Sequence, residues 1–204
     1  MAWDTEATRR RLKEAAVAEF AERGPDGTTM ARIAERAGIN KERLYKYFGD
    51  KQQLFATVLT EALDNLAAGV ALHPVGLHDI GEFAARTFDY HAEHPHLSRL
   101  LQWEGIQAGF IADEASRTKH YREKVEAIRE AQRQGLIDPD VDPAYLTFTL
   151  IALAAWWHGL PQLAFMLTGA DPASPGERAR RRAFVAQAAS RLAAPRASPH
   201  SDLE

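Results

Sequence analysis

Apolar residues recur at three- and four-residue spacing along almost the whole chain, the period of one face of a helix. No segment alternates apolar and polar positions as a strand does, and no long block repeats. The pattern predicts an all-helical protein of about nine helices and no sheet. The first helix runs from about Thr5 to Arg23 on a stripe of Leu12, Ala15, Ala16 and Phe20, and Gly24-Pro25-Asp26-Gly27 stops it. A second covers about Met30–Ala37 behind a Thr28 or Thr29 cap, and a third about Lys41–Phe48 behind the cap Asn40. The fourth follows the cap Asp50, has Gln53 at its third position and reaches about Leu72, where Pro74 and Gly76 break the chain.

The fifth, about His78–His94, turns Ile80, Phe83, Ala84, Thr87, Phe88 and His91 inward, and Pro95 separates it from a sixth at about His96–Ala108. The seventh spans about Asp113–Gln134 and ends at Gly135. Asp142 caps the eighth and Pro143 opens it. This helix reaches Trp157 or Gly159, and a Pro161-broken extension continues to Leu167. Ser174-Pro175-Gly176-Glu177 reads as a capping box opening the ninth, which ends near Leu192. The remainder is rich in Pro, Ser and Ala and is expected to fray.

Residues 28–55 depart from plain amphipathic helix. Counting from Met30, apolar residues fall at Ile33, Ala37, Ile39 and Leu44, where two short crossed helices must pack. Ala34 marks the crossing, where a larger side chain would push the helices apart. Gly38 sits in the turn, where positive φ is needed. This is a helix-turn-helix, whose second helix enters the DNA major groove with its N-terminal part at the base edges. Its outward residues are Lys41, Glu42, Arg43, Tyr45, Lys46 and Tyr47, while Leu44 and Phe48 face the core. Lys51 follows within reach of a phosphate. A plain core hairpin with solvated charges is the competing reading, and it does not explain why packing pattern and positive charge coincide.

Composition narrows the classes. With 204 residues, 46% apolar and 26% charged, the chain can bury a real core. It has no cysteine, which excludes a disulfide scaffold, a thiolate zinc site, an iron–sulfur cluster and a cysteine nucleophile. No run approaches the roughly 18 uncharged apolar residues of a membrane span. Met1 to Arg11 is polar and lacks a signal core, so a cytoplasmic protein without membrane contact is expected. The net charge of −3 argues against a general nucleic-acid coat. Its distribution is more informative: residues 29–51 hold six Lys/Arg against three Asp/Glu, or +3, and residues 52–204 hold 14 against 19, or −5. A basic segment on an acidic body fits a head that touches phosphate and a body with another task.

The segment resembles the DNA-binding domain of the TetR family of bacterial transcriptional regulators. The matching residues are Thr28-Thr29, Ile33-Ala34, Ala37-Gly38-Ile39, Leu44-Tyr45, Tyr47-Phe48, Lys51 and Leu54-Phe55, within roughly residues 8–56. Beyond them the likeness is one of helix layout and length. The resemblance implies a DNA-binding head at residues 1–50, a ligand-binding and dimerisation domain at 51–194 and a flexible tail at 195–204. It implies a homodimer on a pseudo-palindromic double-stranded operator, released by a small hydrophobic effector, most often as a repressor. By match to the motif, Lys41, Glu42, Arg43 and Tyr45 read bases. Thr28, Thr29, Asn40, Lys46, Tyr47 and Lys51 contact phosphate. The family often has a small residue, commonly Gly, where Glu42 stands. A carboxylate there must read a cytosine amino group or pair with Lys46.

The same likeness places the dimer on the two C-terminal helices, through Leu146, Leu150, Leu153, Trp157, Phe184, Ala188 and Leu192. The pattern agrees in part, because Tyr145 to Trp157 is apolar nearly all round and must be covered on two sides. For the effector, Phe88, His91, Trp103, Tyr121 and Phe148 are candidate pocket walls, and aromatics at this spacing are equally plain core. Glu104 on an apolar stripe needs a partner. That partner is a ligand, which favours a flat neutral or cationic molecule, or an arginine such as Arg86, Arg99 or Arg122. His91, His94 and His96 are close in sequence, but Pro95 intervenes and no acidic complement stands at ligand spacing, so no metal and no cofactor are expected. The run Arg178, Arg180, Arg181, Arg182 reads as a solvated face. An enzyme using Glu104 and a histidine finds no nucleophile elbow, phosphate loop or metal motif in support. A helical adaptor with a vestigial DNA head is the other competing reading.

Overall fold

The computed structural model describes residues 5–73, 76–107 and 109–196, and among them it contains helices and no strand. Ten helices follow in order: α1 Thr5–Gly27, α2 Met30–Ala37, α3 Lys41–Phe48, α4 Lys51–Gly69, α5 Leu77–Glu93, α6 Pro95–Ile106, α7 Glu114–Arg133, α8 Pro143–Gly159, α9 Pro161–Thr168 and α10 Pro175–Ala193. The count exceeds the expected nine because Pro161 does not merely bend the eighth helix. It opens α9, which leaves α8 at an angle of 85°. Proline lacks the N–H that would continue the ladder but fits a first turn. Pro74, Ala108 and most of the expected tail lie outside the described residues.

The chain forms two compact units. One comprises the residues up to Ala67 together with His94–Ala115, and the other Ala68–Glu93 and everything from Ser116. In the first, α1 packs on α2 and α6, and α2 on α3. Its core is Leu12, Ala16, Phe20, Ile33, Leu44, Leu54 and Phe55, all buried, with the Phe20 ring edge-on to Phe55 at 5.2 Å. Gly24 kinks α1 near its end by leaving the helical region at φ 72°, ψ 171°, a conformation essentially open to glycine alone. A Cβ there would also stand 2.7 Å from the Trp103 indole. Asp50 and Gln53 cap α4 reciprocally, the Gln53 N–H donating to Asp50 Oδ1 at 2.8 Å and the Asp50 N–H to Gln53 Oε1 at 3.0 Å.

In the second unit α5, α8 and α10 pack on one another around Ile80, Phe83, Phe88, Leu150, Ala154, Val185 and Ala189. The arginine run of α10 departs from the solvated face expected of it. Arg181 is buried, its Nε donates to Glu177 at 2.8 Å, and its guanidinium lies over the Trp157 ring. Arg182 reaches across to α5, donating to Asp89 at 2.7 Å and Glu82 at 3.1 Å. Glu177 thus turns to Arg181 and Arg180 instead of closing a capping box, and Ser174 makes no side-chain cap bond.

Candidate nucleic-acid interface

Between α2 and α3 the chain turns within three residues. Gly38 adopts φ 62°, ψ 35°, the left-handed conformation that glycine adopts without a Cβ penalty. Its N–H donates to Glu35 O at 2.9 Å, and the Ile39 N–H to Ala34 O at 3.0 Å. Arg11 of α1 donates to the Ala37 carbonyl at 2.7 Å, so the last turn of α2 is tied from outside as well. Asn40 then starts α3, its side-chain oxygen accepting the Glu42 N–H at 2.7 Å. Ile33, Ala34 and Ala37 of α2 and Leu44 and Phe48 of α3 are buried. The opposite face of α3 is therefore turned out: Lys41, Glu42, Tyr45 and Lys46 are exposed, and Arg43 and Tyr47 half-buried. The Lys41 ammonium lies 5.5 Å from the Tyr45 ring centre.

The expected phosphate contacts divide. Thr29 is exposed but caps α2, accepting the Arg32 N–H. Thr28 is a correction: it is buried, and its hydroxyl donates to Glu19 at 2.8 Å. Its carbonyl accepts from Lys51 Nζ at 3.3 Å. A small β-branched alcohol before a helix reads as a surface cap in sequence, and here the neighbouring acid draws it inward.

That acid carries most of the electrostatics of the head. Glu19 is buried on α1 and accepts from Arg36 Nη1 at 3.0 Å and Arg32 Nε at 3.2 Å besides Thr28. Burial alone would raise its pKa, but the hydrogen bonds from Thr28, Arg36 and Arg32 outweigh it and hold the carboxyl below the usual range. Exposed Glu22 takes the rest of the Arg36 guanidinium, at 2.7 and 2.9 Å. Arg32 and Arg36 are thereby engaged with acids of α1 and Lys51 donates to the Thr28 carbonyl, so the outward charge of α3 comes from exposed Lys41 and Lys46, with half-buried Arg43 beside them. The sequence held a signal for Glu19, which stands one heptad after Leu12 on the stripe that buries Ala15, Ala16 and Phe20.

The effector candidates do not share a unit. Trp103 lies against Gly24, and Glu104 Oε1 accepts the Ala112 N–H at 2.7 Å, both within the first unit. In the second, Phe88 and His91 are buried on α5, while Tyr121 is exposed and Phe148 is 74% exposed. Among the dimer candidates Leu146 and Leu150 are core of the second unit. Leu153, Trp157 and Ala188 are half-buried, and Phe184 and Leu192 exposed. The large exposed apolar residues of α8 are instead Tyr145, Phe148 and Trp156, rotated from the expected stripe. A helix apolar on every side does not reveal which side its own chain covers.

A glycine-turned helix pair that presents one basic helix, carried on a small helical unit with a larger one attached, defines a helix-turn-helix DNA-binding transcription regulator. Family models describe the same parts: "Bacterial regulatory proteins, tetR family" matches residues 12–58, and "Tetracyclin repressor-like, C-terminal domain" residues 79–191. The HTH-type transcriptional repressor SCO4008 of Streptomyces coelicolor is 44% identical over 172 residues, covering 83% of this chain and 88% of that protein. Among solved structures, the putative transcriptional regulator SCO4942 of Streptomyces coelicolor superposes with a TM-score of 0.77 at 31% identity, over 91% of this chain and 98% of that one. AibR, solved with isovaleryl coenzyme A and operator DNA, superposes at 0.69 with 19% identity, over 93% and 100%. The chain belongs to the TetR family. Among the described residues no single helix is long and apolar enough to cross a membrane.

Proposed function

We propose that this protein is a cytoplasmic, ligand-responsive repressor that binds a pseudo-palindromic operator as a homodimer and is released by a small hydrophobic effector. One observation carries the DNA half: α3 buries Leu44 and Phe48 and turns Lys41, Tyr45 and Lys46 outward. Lys41, Arg43 and Tyr45 are assigned to base edges, and Lys46, Tyr47, Lys51 and Thr29 to phosphate, while Asn40, whose side chain caps α3, is assigned to holding its first turn in place. Glu42 is exposed in the first turn of α3 and is assigned to a cytosine amino group. Repression follows the sign of SCO4008, and AibR supports a small-molecule effector acting on operator binding. Because Glu104 already holds Ala112, we assign the effector to the buried aromatic residues of the second unit, beginning with Phe88 and His91. Tenfold release of DNA requires the effector to favour the DNA-incompetent state by about 1.4 kcal/mol.

One short reading helix per chain binds specifically only as a pair. For the partner chain we assign the exposed apolar face of the second unit: Tyr145, Phe148 and Trp156 of α8 with Phe184 and Leu192 of α10. Large apolar side chains left exposed on two helices that pack on each other support an interaction surface. A gel shift against DNA upstream of the protein's own gene tests the whole reading. A single retarded species containing two chains is expected, with binding lost on halving the inverted repeat. Arg43→Ala should lose discrimination at one base pair, and Lys51→Ala should weaken all sequences alike and flatten the salt dependence. Equal loss across every operator variant for Arg43→Ala would remove that residue from the base-reading set.

A further inference from the structure

The second unit contains a histidine that none of the functions above uses. His158 stands in the last turn of α8, its ring centre 4.7 Å from that of Phe88 and 6.2 Å from the nearly parallel ring of His91. One ring nitrogen hydrogen-bonds the backbone of Phe88. The other, Nε2, is buried and has no hydrogen-bond partner among the described residues. A carbonyl only accepts, so the proton sits on Nδ1 and Nε2 presents a lone pair. Burial pushes the ring pKa down to about 4, helped by Arg178 and Arg181 and opposed by the Phe88 bond and Asp89. At neutral pH Nε2 is therefore an acceptor.

The charges nearby are matched. Arg178 pairs with Glu93 at 3.2 Å and Asp89 at 3.6 Å, Arg181 with Glu177 at 2.8 Å, and Arg182 with Asp89 at 2.7 Å. What stands out among them is one uncharged acceptor on a ring that packs near those of Phe88 and His91. A buried acceptor lacking a donor is costly, and a donor that reaches it regains more than an ordinary hydrogen bond yields.

We propose that His158 Nε2, with the Phe88 and His91 rings, forms a ligand site for a small flat aromatic molecule bearing an N–H or O–H donor. Anions lacking a donor are excluded, because a carboxylate would face the ring lone pair. The inference rests on the reading that this unit takes a small effector, and it adds the chemical group by which that effector is selected.

Matched probes test it. Indole and 2-naphthol carry the donor; 1-methylindole and 2-methoxynaphthalene keep the flat ring and lack it. Nitrogen-15 NMR on histidine-labelled full-length protein reads the Nε2 resonance directly, and titration gives affinities. The donors should shift the His158 Nε2 signal and bind about tenfold tighter than their methylated partners. His158→Phe should erase that preference while operator binding without ligand stays intact, which also shows that the variant folds. Equal affinity within each pair, no binding by any probe, a preference that survives His158→Phe, or an Nε2 held by a buried water that the donors do not displace would each overturn the proposal. Gel shifts on the same samples separate it from the regulatory reading. Donor-selective binding that leaves the operator complex untouched would keep the site and remove its role as effector site, and a wild-type protein that binds no operator would count against the regulator alone.

Discussion

Glu19 brings a carboxylate into the core of the DNA-binding unit, where Thr28, Arg32 and Arg36 converge on it. Removing its charge while keeping its shape, as in Glu19→Gln, leaves Arg36 with Glu22 and takes from Arg32 and Arg23 the carboxylate they face. These arginines are partly exposed and regain some hydration, so the loss falls below that of a fully buried pair, at about 2 kcal/mol. A lowered urea midpoint with unchanged slope is the expected result, and an unchanged midpoint would mean that the network is ornamental. Acid acts on the same protein through two kinds of group. His158 titrates near 4 when folded and near 6.5 when unfolded. Between those values the unfolded chain binds the extra proton, so stability falls as pH drops from about 6.5 toward 4 and is independent of this group above that range. Glu19, held below its ordinary value, adds its own loss only under more acid conditions, where it protonates. His96 is also pushed down, by burial and by His94, and shares the upper range. The urea midpoint should therefore fall between pH 7 and pH 5, and His158→Gln should fall less over that interval. An equal fall in both proteins would show that the folded His158 titrates like a free histidine.

Asn40 and Gly38 fix where α2 ends and α3 begins. Asn40→Ala removes the acceptor of the Glu42 N–H and should cost about 1 kcal/mol. Its larger effect should be on DNA, because the first turn of α3 holds Lys41, Glu42 and Arg43. Operator affinity measured well below the melting temperature should drop, and Asn40→Ser, which caps equally well, should restore it. Failure of that rescue would assign Asn40 a direct phosphate contact and not a capping role. This helix pair was legible in the sequence because Ile33, Ala34, Ala37, Ile39 and Leu44 all meet within 15 residues and the turn requires glycine. The rest depended on longer reach. Arg32 and Arg36 looked like free positive charge until folding brought α1 alongside them. Trp103 looked like a pocket wall, but it lies against Gly24, almost 80 residues earlier in the chain. In α8 the period itself was missing: Leu146 and Leu150 are buried and Tyr145 and Phe148 exposed, yet all four are large and apolar.

That exposed side of α8 does not stand alone. Beyond its bend, α9 presents Phe165, Met166 at 71% exposure and Leu167 at 78%, with only Ala164 buried. Eight residues make a helix too short to persist in water without packing. With Phe184 and Leu192 of α10, which packs on α8, these exposed apolar side chains are of the kind that a second copy covers in a two-fold dimer. Because the surface is already exposed in the single chain, a charge placed there does not disturb the core, so loss of the dimer can be separated from loss of the fold. Trp156→Glu should leave the helical signal and the urea midpoint of the separated chain near those expected for the unaltered core. It should also shift sedimentation from two chains to one, since each partner would bury an unpaired carboxylate. DNA tells the two states apart. A single chain makes about half the phosphate contacts of a pair, so the slope of log affinity against log salt should fall by about half. Full operator and isolated half-site should then bind alike. A Trp156→Glu protein that still sediments as two chains and keeps the wild-type salt slope would show that this face is covered by something other than a second copy.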